Sequence, residues 1–194
     1  MIILASSSPT RLALLLNAGI DFEAIPPKID EIKLQSQFNI QTSDKLAQHL
    51  ADAKSLSISA LHPHEFVIGS DQTLFCNDRF YHKPINSTEA KQQLQELRGR
   101  THRLTSALSC ALNNEVIWRF QDEAELTMRE FTDQFLEYYL DRAKDDILTS
   151  VGAYKLEGLG MQLFEEIKGD HLTILGFPLL PLLKFLRTRD LLLS

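Results

Sequence analysis

Cysteine is scarce. Cys76 and Cys110 are the only two in 194 residues, and no C-x-x-C pair exists. Both stand in apolar surroundings and read as buried thiols, which fits a reducing, cytoplasmic compartment. Positive charge is also short: 20 Lys and Arg against 26 Asp and Glu give a net charge of −6. That balance argues against nucleic acid or an anionic membrane as partner, while leaving room for a small anion in a local basic pocket. Long hydrophobic runs are missing. The longest charge-free apolar tract, residues 172–183, is broken by Gly176, Pro178 and Pro181. It is shorter than the roughly 20 residues that span a bilayer. The opening Met1-Ile2-Ile3-Leu4-Ala5-Ser6 has no basic stretch and too short an apolar run for a signal peptide.

Several chemistries lack their residues. His49, His62, His64, His82, His102 and His171 are scattered without zinc spacing. No G-x-S-x-G elbow is present, although Gly69-Ser70 touches the pattern. No G-x-x-x-x-G-K-[ST] phosphate loop is present. A haloacid-dehalogenase-type phosphatase needs a second Asp two residues after its nucleophile, and position 73 is Thr.

What is present is ordinary: 44% hydrophobic and 24% charged residues, enough for a core in one domain, read as 1–194 with two lobes. Phe66-Val67-Ile68 reads as a short buried strand that reaches Gly69 and then presents Asp71 at its carboxyl end, where α/β proteins keep their chemistry. The plain alternative is an Asp capping a turn. Residues 2–5 read as a first strand, buried on both faces. Ser8 is a good N-cap, Pro9 suits the first helical position, and Leu12, Leu15 and Leu16 recur at helical spacing up to Gly19. Free N–H groups, the hydroxyls of Ser6, Ser7 and Ser8, and the Arg11 guanidinium converge there into a phosphate site. A Ser-Pro helix start with a surface Arg is the plain alternative.

Residues 22–32 read as extended and end in Asp30-Glu31; residues 33–42 read as a loop. Ser43 caps a helix with Leu46, Ala47, Leu50, Ala51 and Leu56 inward, on which Lys54 is by default solvated. Asn77-Asp78 turns a hairpin whose arm returns past Asp71 and holds Lys83 ahead of Pro84. Asn86 or Ser87 caps the next helix, with Glu89 at capping-box spacing. A strand over 107–112, a turn at Asn113-Asn114 and a return over 116–127 follow. A helix starts near Thr132, and residues 141–150 read as a loop. Gly152, Gly158 and Gly160 suggest close backbone approach to something flat or anionic. A strand over 161–167 and a last helix with Leu182, Leu183 and Leu186 inward complete the chain. Leu191-Leu192-Leu193 read as exposed, a hint of a surface for a second copy and a homodimer.

The chemistry-bearing set that remains is Glu31, Asp71, Arg11, Lys54 and Lys83. Carboxylates hold Mg²⁺ or Mn²⁺ through oxygen, and Arg and Lys hold phosphates. Together they fit metal-assisted phosphoryl chemistry.

These residues stand in motifs whose order resembles the Maf family. The motifs are Leu4-Ala5-Ser6-Ser7-Ser8-Pro9-Thr10-Arg11-Leu12, Ile29-Asp30-Glu31, Leu46-Ala47 with Lys54, and Gly69-Ser70-Asp71-Gln72. Lys83-Pro84, Leu97-Arg98-Gly99 with His102, the glycines of 152–160, and Gly176-Phe177-Pro178-Leu179 continue the series. The resemblance implies an α/β fold like that of the ITP pyrophosphatases: an elongated mixed sheet flanked by helices, in two lobes with a cleft. It implies a nucleoside triphosphate pyrophosphatase, a hydrolase that cleaves a triphosphate to monophosphate plus diphosphate with a divalent metal cation. Asp71 resembles the family's catalytic proton acceptor. Ser8, Arg11, Lys54 and Lys83 would grip the triphosphate, and Glu31 with Asp71 would hold Mg²⁺ or Mn²⁺.

Gln72 and Glu157 look like the branch that acts on 7-methyl-GTP, a house-cleaning enzyme for modified nucleotides. A carboxylate at Glu157 can accept from both N1–H and N2–H₂ of guanine, and it favours the positive charge of a methylated base. The plain alternative is a solvated turn residue. Thr10 stands where the family commonly has arginine, so one cation is missing at a position linked to substrate choice. A dTTP- or UTP-preferring enzyme is the other reading within the family. A nucleotide-binding regulator of septum formation, without turnover, is the reading from another class.

Overall fold

The structure, a computed structural model, describes residues 1–36 and 43–193. Seven strands, β1 (Ile2–Ala5), β2 (Glu23–Ala24), β3 (Phe66–Cys76), β4 (Arg79–Tyr81), β5 (Thr101–Leu112), β6 (Glu115–Met128) and β7 (Phe164–Lys168), form one mixed sheet. Their order is β2-β1-β3-β5-β6-β7, with β4 paired to β3. The helices are α1 (Pro9–Asn17), α2 (Glu31–Ser36), α3 (Ser43–Ser59), α4 (Ser87–Leu97), α5 (Asp133–Ala143), α6 (His171–Ile174) and α7 (Leu179–Arg187). The α/β, mixed-sheet expectation holds.

The chain divides into two compact units. The first comprises Met1–Gln72, Thr105–Glu123 and Asp170–Ser194; the second comprises Thr73–Leu104 and Ala124–Gly169. In the first, β1 pairs in parallel with both β2 and β3, and side chains packed from both sides bury its two faces. Ile2 and Leu4 join a core with Leu15, Ile68, Leu108, Phe177 and Leu182, while Ile3 and Ala5 join Ile58 and Val67 on the other face. Each such fully buried aliphatic side chain contributes about 1.5–3 kcal/mol. Trp118 stacks on Phe185 at 4.8 Å. In the second unit, Tyr139 donates its hydroxyl to Ala153 O at 3.0 Å. Tyr154 packs edge-on against Phe164, and its hydroxyl meets His102 Nε2 at 2.7 Å.

Several sequence expectations change. β3 does not stop at Gly69 but runs on to Cys76. β1 ends at Ala5, opposite Gly69, and β4 takes up pairing at Leu74, so the strand keeps a use for its backbone beyond the glycine. Asn77 and Asp78 both have positive φ, as a tight hairpin turn requires. The paired arm of the hairpin ends at Tyr81, opposite Leu74. Leu16 points outward and is 64% exposed; Leu15 alone in α1 is fully buried. Glu31 opens α2 instead of ending an extended segment, and of the loop read over 33–42, residues 33–36 are helical while 37–42 lie outside the described residues. Within 141–150, Lys144–Leu148 is a 3-10 helix, and within 161–167 a 3-10 helix (Leu159–Leu163) precedes β7. Asn86 is the cap of α4 and accepts from Glu89 N at 2.9 Å. Leu191 and Leu192 pack partly against the core, and Leu193 is 98% exposed.

Both cysteines are buried free thiols, and burial pushes both pKa values up, which makes poor nucleophiles. Among the described residues no helix is long and apolar enough to cross a membrane.

Candidate active site

The site is built around β3 in the first unit. Side chains alternate across a strand, so Gly69 and Asp71 face one way and Ser70 and Gln72 the other. On the Asp71 side lies α3. A β-carbon at Gly69 would meet Ala51 O at 2.3 Å and Ser55 N at 2.7 Å, so the bare glycine lets the α3 backbone settle directly on the strand. One residue before Ser55 is Lys54. The close approach brings its ammonium to 2.6 Å from Asp71 Oδ1. The same ammonium lies 2.8 Å from Glu31 Oε1, at the first position of α2. Lys54 is only 7% exposed, so it is not the solvated helix lysine that its sequence position suggests.

Arg11 approaches from α1. Its Nη1 donates to Ser70 O at 2.8 Å and its Nε to Gly176 O at 3.2 Å. Ser70 Oγ also donates to Gly176 O, at 3.0 Å. Ser8 is the N-cap of α1 and Pro9 its first residue, but the Ser8 hydroxyl makes no capping bond; its backbone N–H goes to Ser6 Oγ at 3.1 Å. Ser8 and Thr10 are half-buried at the start of the helix.

Two carboxylates and two cations thus balance in one small volume. Burial raises the pKa of Asp71 above the ordinary carboxylate value, and Lys54 and Arg11 oppose that rise. Burial lowers the pKa of Arg11, opposed by Asp71 and Glu31. A buried carboxylate with a raised pKa is a stronger base than a solvated one, which suits proton abstraction from water. Glu31 and Asp71 already converge on one cation, the Lys54 ammonium. Hard oxygen donors of this kind fit Mg²⁺ or Mn²⁺. Among the described residues no cluster of three or more His, Cys, Asp or Glu could hold a metal by itself.

The remaining sequence candidates fall differently. Gln72 Nε2 is engaged by Ser106 Oγ, Thr173 O and Ile174 O at 3.0, 3.2 and 2.9 Å. Lys83 and Glu157 belong to the second unit, and both are exposed, Glu157 on the turn at 156–158. The glycines beside Glu157 have internal reasons. A β-carbon at Gly160 would meet Lys155 O at 2.3 Å, and one at Gly152 would meet Leu74 and Tyr154. Only Gly158 has open space, and packing within the unit accounts for Gly152 and Gly160.

Ser106, Thr173 and Asp122 carry no local signal in the sequence. They form a chain in which Ser106 Oγ donates to Thr173 O at 2.7 Å and Thr173 Oγ1 donates to Asp122 Oδ2 at 2.7 Å.

Comparison with known proteins agrees with the motif order. A family described as Maf-like protein matches residues 1–189. A protein of Rhizobium etli named 7-methyl-GTP pyrophosphatase is 48% identical over 188 residues, covering 96% of this chain and 94% of that one. A protein of Bradyrhizobium diazoefficiens named nucleoside triphosphate pyrophosphatase is 46% identical over 190 residues, covering 98% and 94%. Among solved structures, a HAM1 protein from Coxiella burnetii aligns at 15% identity and a TM-score of 0.45 over 67% of this chain and 73% of that one. With a family match over nearly its whole length and relatives above 40% identity, the chain belongs to the Maf family.

Proposed function

We propose that the chain is a nucleoside triphosphate pyrophosphatase that hydrolyses a 7-methyl-GTP-like triphosphate to the monophosphate and diphosphate. The observation that carries this reading is the buried Asp71 carboxylate, held 2.6 Å from Lys54 beside Glu31. Asp71 takes a proton from the attacking water. The water oxygen bonds to the α-phosphorus, and the bond from that phosphorus to the bridging oxygen breaks. Diphosphate leaves with the electron pair. Lys54 and Arg11 stabilise the charge that moves onto it. Ser8, at the N-terminus of α1, adds a hydroxyl and the positive end of a short helix. A divalent cation, Mg²⁺ or Mn²⁺, supplies charge neutralisation when bound, and Glu31 and Asp71 are the donors that would hold it.

Lys83 and Glu157 have proposed roles that come from the motifs in which they stand: a further triphosphate cation and the carboxylate that reads guanine. The names of relatives such as the Rhizobium etli protein support the base preference. Thr10 carries no charge, so base discrimination falls on hydrogen bonding more than on a second arginine at the helix start. The buried unpaired thiols support a reducing, cytoplasmic setting and a house-cleaning role there.

The test is a diphosphate-release screen with Mg²⁺ or Mn²⁺ against 7-methyl-GTP, GTP, dTTP, UTP and CTP. The expected result is preference for 7-methyl-GTP, reduced by Glu157→Gln. Preference for dTTP or UTP would keep the enzyme class and overturn the guanine reading. Binding without turnover on every nucleotide would favour the regulator of septum formation.

A further inference from the structure

Helix α4 carries a polar side chain on its buried face. Ala90, Leu94 and Leu97 pack inward there, and Gln93 stands among them, only 4% exposed. Its Nε2 donates to His82 O at 3.0 Å. Its Oε1 is buried and has no hydrogen-bond partner among the described residues. One end of the amide is thus desolvated without compensation, which a leucine or methionine at the same place would avoid. Packing does not call for this glutamine; the bond to His82 O does.

The His82 carbonyl lies in the same rigid plane as the Lys83 nitrogen and α-carbon, because the peptide bond between them is planar. Holding that oxygen fixes the plane from which the Lys83 side chain departs. Pro84 tightens the hold: it is buried, it fixes its own φ, and it restricts Lys83 to extended backbone. Beyond it, Ile85 N donates to Glu89 Oε2 at 3.0 Å, and Asn86 caps α4. Side chains of α4 therefore fasten the backbone on both sides of Lys83, which is itself exposed. A lysine side chain is a flexible four-carbon stem, so the direction of its base decides which region the ammonium can reach. Resting on the reading that Lys83 grips the triphosphate, we propose that Gln93 is a positioning residue that holds the Lys83 backbone in the orientation from which the ammonium reaches phosphate. It acts through the His82–Lys83 peptide and not by touching substrate.

The experiment uses the full chain as wild type, Gln93→Met, Lys83→Met and the double variant. Three readouts are taken: calorimetric binding of inorganic tripolyphosphate, the NMR order parameter of the Lys83 amide without ligand, and the melting temperature. Methionine matches glutamine in length and needs no partner, so Gln93→Met melts within about 4 °C of wild type. Its affinity for tripolyphosphate falls about fivefold, the scale of one hydrogen-bonded restraint. The Lys83 order parameter drops from about 0.85 toward about 0.6. On the Lys83→Met background the Gln93 change costs no further affinity, whereas a residue that merely supported the fold would weaken binding in both backgrounds alike. If Gln93→Met fails to fold, Gln93→Leu, which also lacks the donor and suits a buried helix face, takes its place with the same expected pattern.

Equal losses from the Gln93 change with and without Lys83 would overturn the proposal, as would unchanged tripolyphosphate binding or an unchanged Lys83 order parameter. Unchanged binding in Lys83→Met would overturn the reading of Lys83 as a triphosphate cation, and the proposal with it. If the wild type hydrolyses no nucleotide, the proposed function falls, while tripolyphosphate binding and the order parameter still judge Gln93.

Discussion

A β-carbon on Gly69 would stand 2.3 Å from the carbonyl oxygen of Ala51, closer than any side chain allows. The obstacle is helix backbone, so it cannot rotate away. α3 must move off β3, carrying Lys54 from Asp71. Gly69→Ala is expected to lower stability by about 1–3 kcal/mol, the cost of overpacking. It is also expected to cut kcat by more than about tenfold, since a shift of 1 Å in a catalytic pair costs up to about a hundredfold. Chemical denaturation and steady-state kinetics check the two effects. Wild-type kcat in a destabilised Gly69→Ala protein would show that the strand–helix approach does not set the site.

Lys54 is the only partner within bonding distance of Asp71 among the described ion pairs. Removing it leaves a buried carboxylate uncompensated. Lys54→Met is expected to cost about 3 kcal/mol in urea denaturation at neutral pH, and adding Asp71→Asn to recover most of that loss. The Glu31 carboxylate matters less here, because its side chain is 52% exposed and water can replace the ammonium. Additive losses in the double variant would contradict a coupled pair.

His102 is buried, its Nδ1 has no hydrogen-bond partner among the described residues, and burial depresses its pKa from 6.5 to about 3. Between those values the unfolded chain binds a proton at this site that the folded chain does not. Stability therefore falls as pH drops below 6.5, by about 1.4 kcal/mol per pH unit from this group alone. Denaturation midpoints at pH 6.5, 5.5 and 4.5 for wild type and His102→Gln check it. The variant should show the shallower loss. Equal slopes would mean that His102 charges freely in the folded protein.

Much of this was legible in the chain. β1, the Ser8-Pro9 helix start and the Asn77-Asp78 turn follow from local patterns, because each rests on neighbours in sequence. Asp71 stands out by its position after a buried strand and a glycine, although that strand runs eight residues further than its apolar run. The burial of Lys54 was not legible, since it depends on how closely α3 lies on a glycine 15 residues away in sequence. The Gln72 side-chain bonds join residues up to 102 positions apart, and no local spacing encodes such a contact. Gly152 and Gly160 show the same limit from the other side: a glycine signals close approach but not what approaches.

The central claim is that Asp71 directs water onto the α-phosphorus. The direct measurement is turnover of 7-methyl-GTP in ¹⁸O-water with Mg²⁺, followed by mass spectrometry of both products, for wild type and Asp71→Asn. Wild type is expected to place the label in the monophosphate and release unlabelled diphosphate. Asp71→Asn is expected to lose at least about a hundredfold in kcat, the scale of general-base catalysis, while still binding nucleotide. Label in the diphosphate, release of inorganic phosphate and a nucleoside diphosphate, or full turnover by Asp71→Asn would contradict the account.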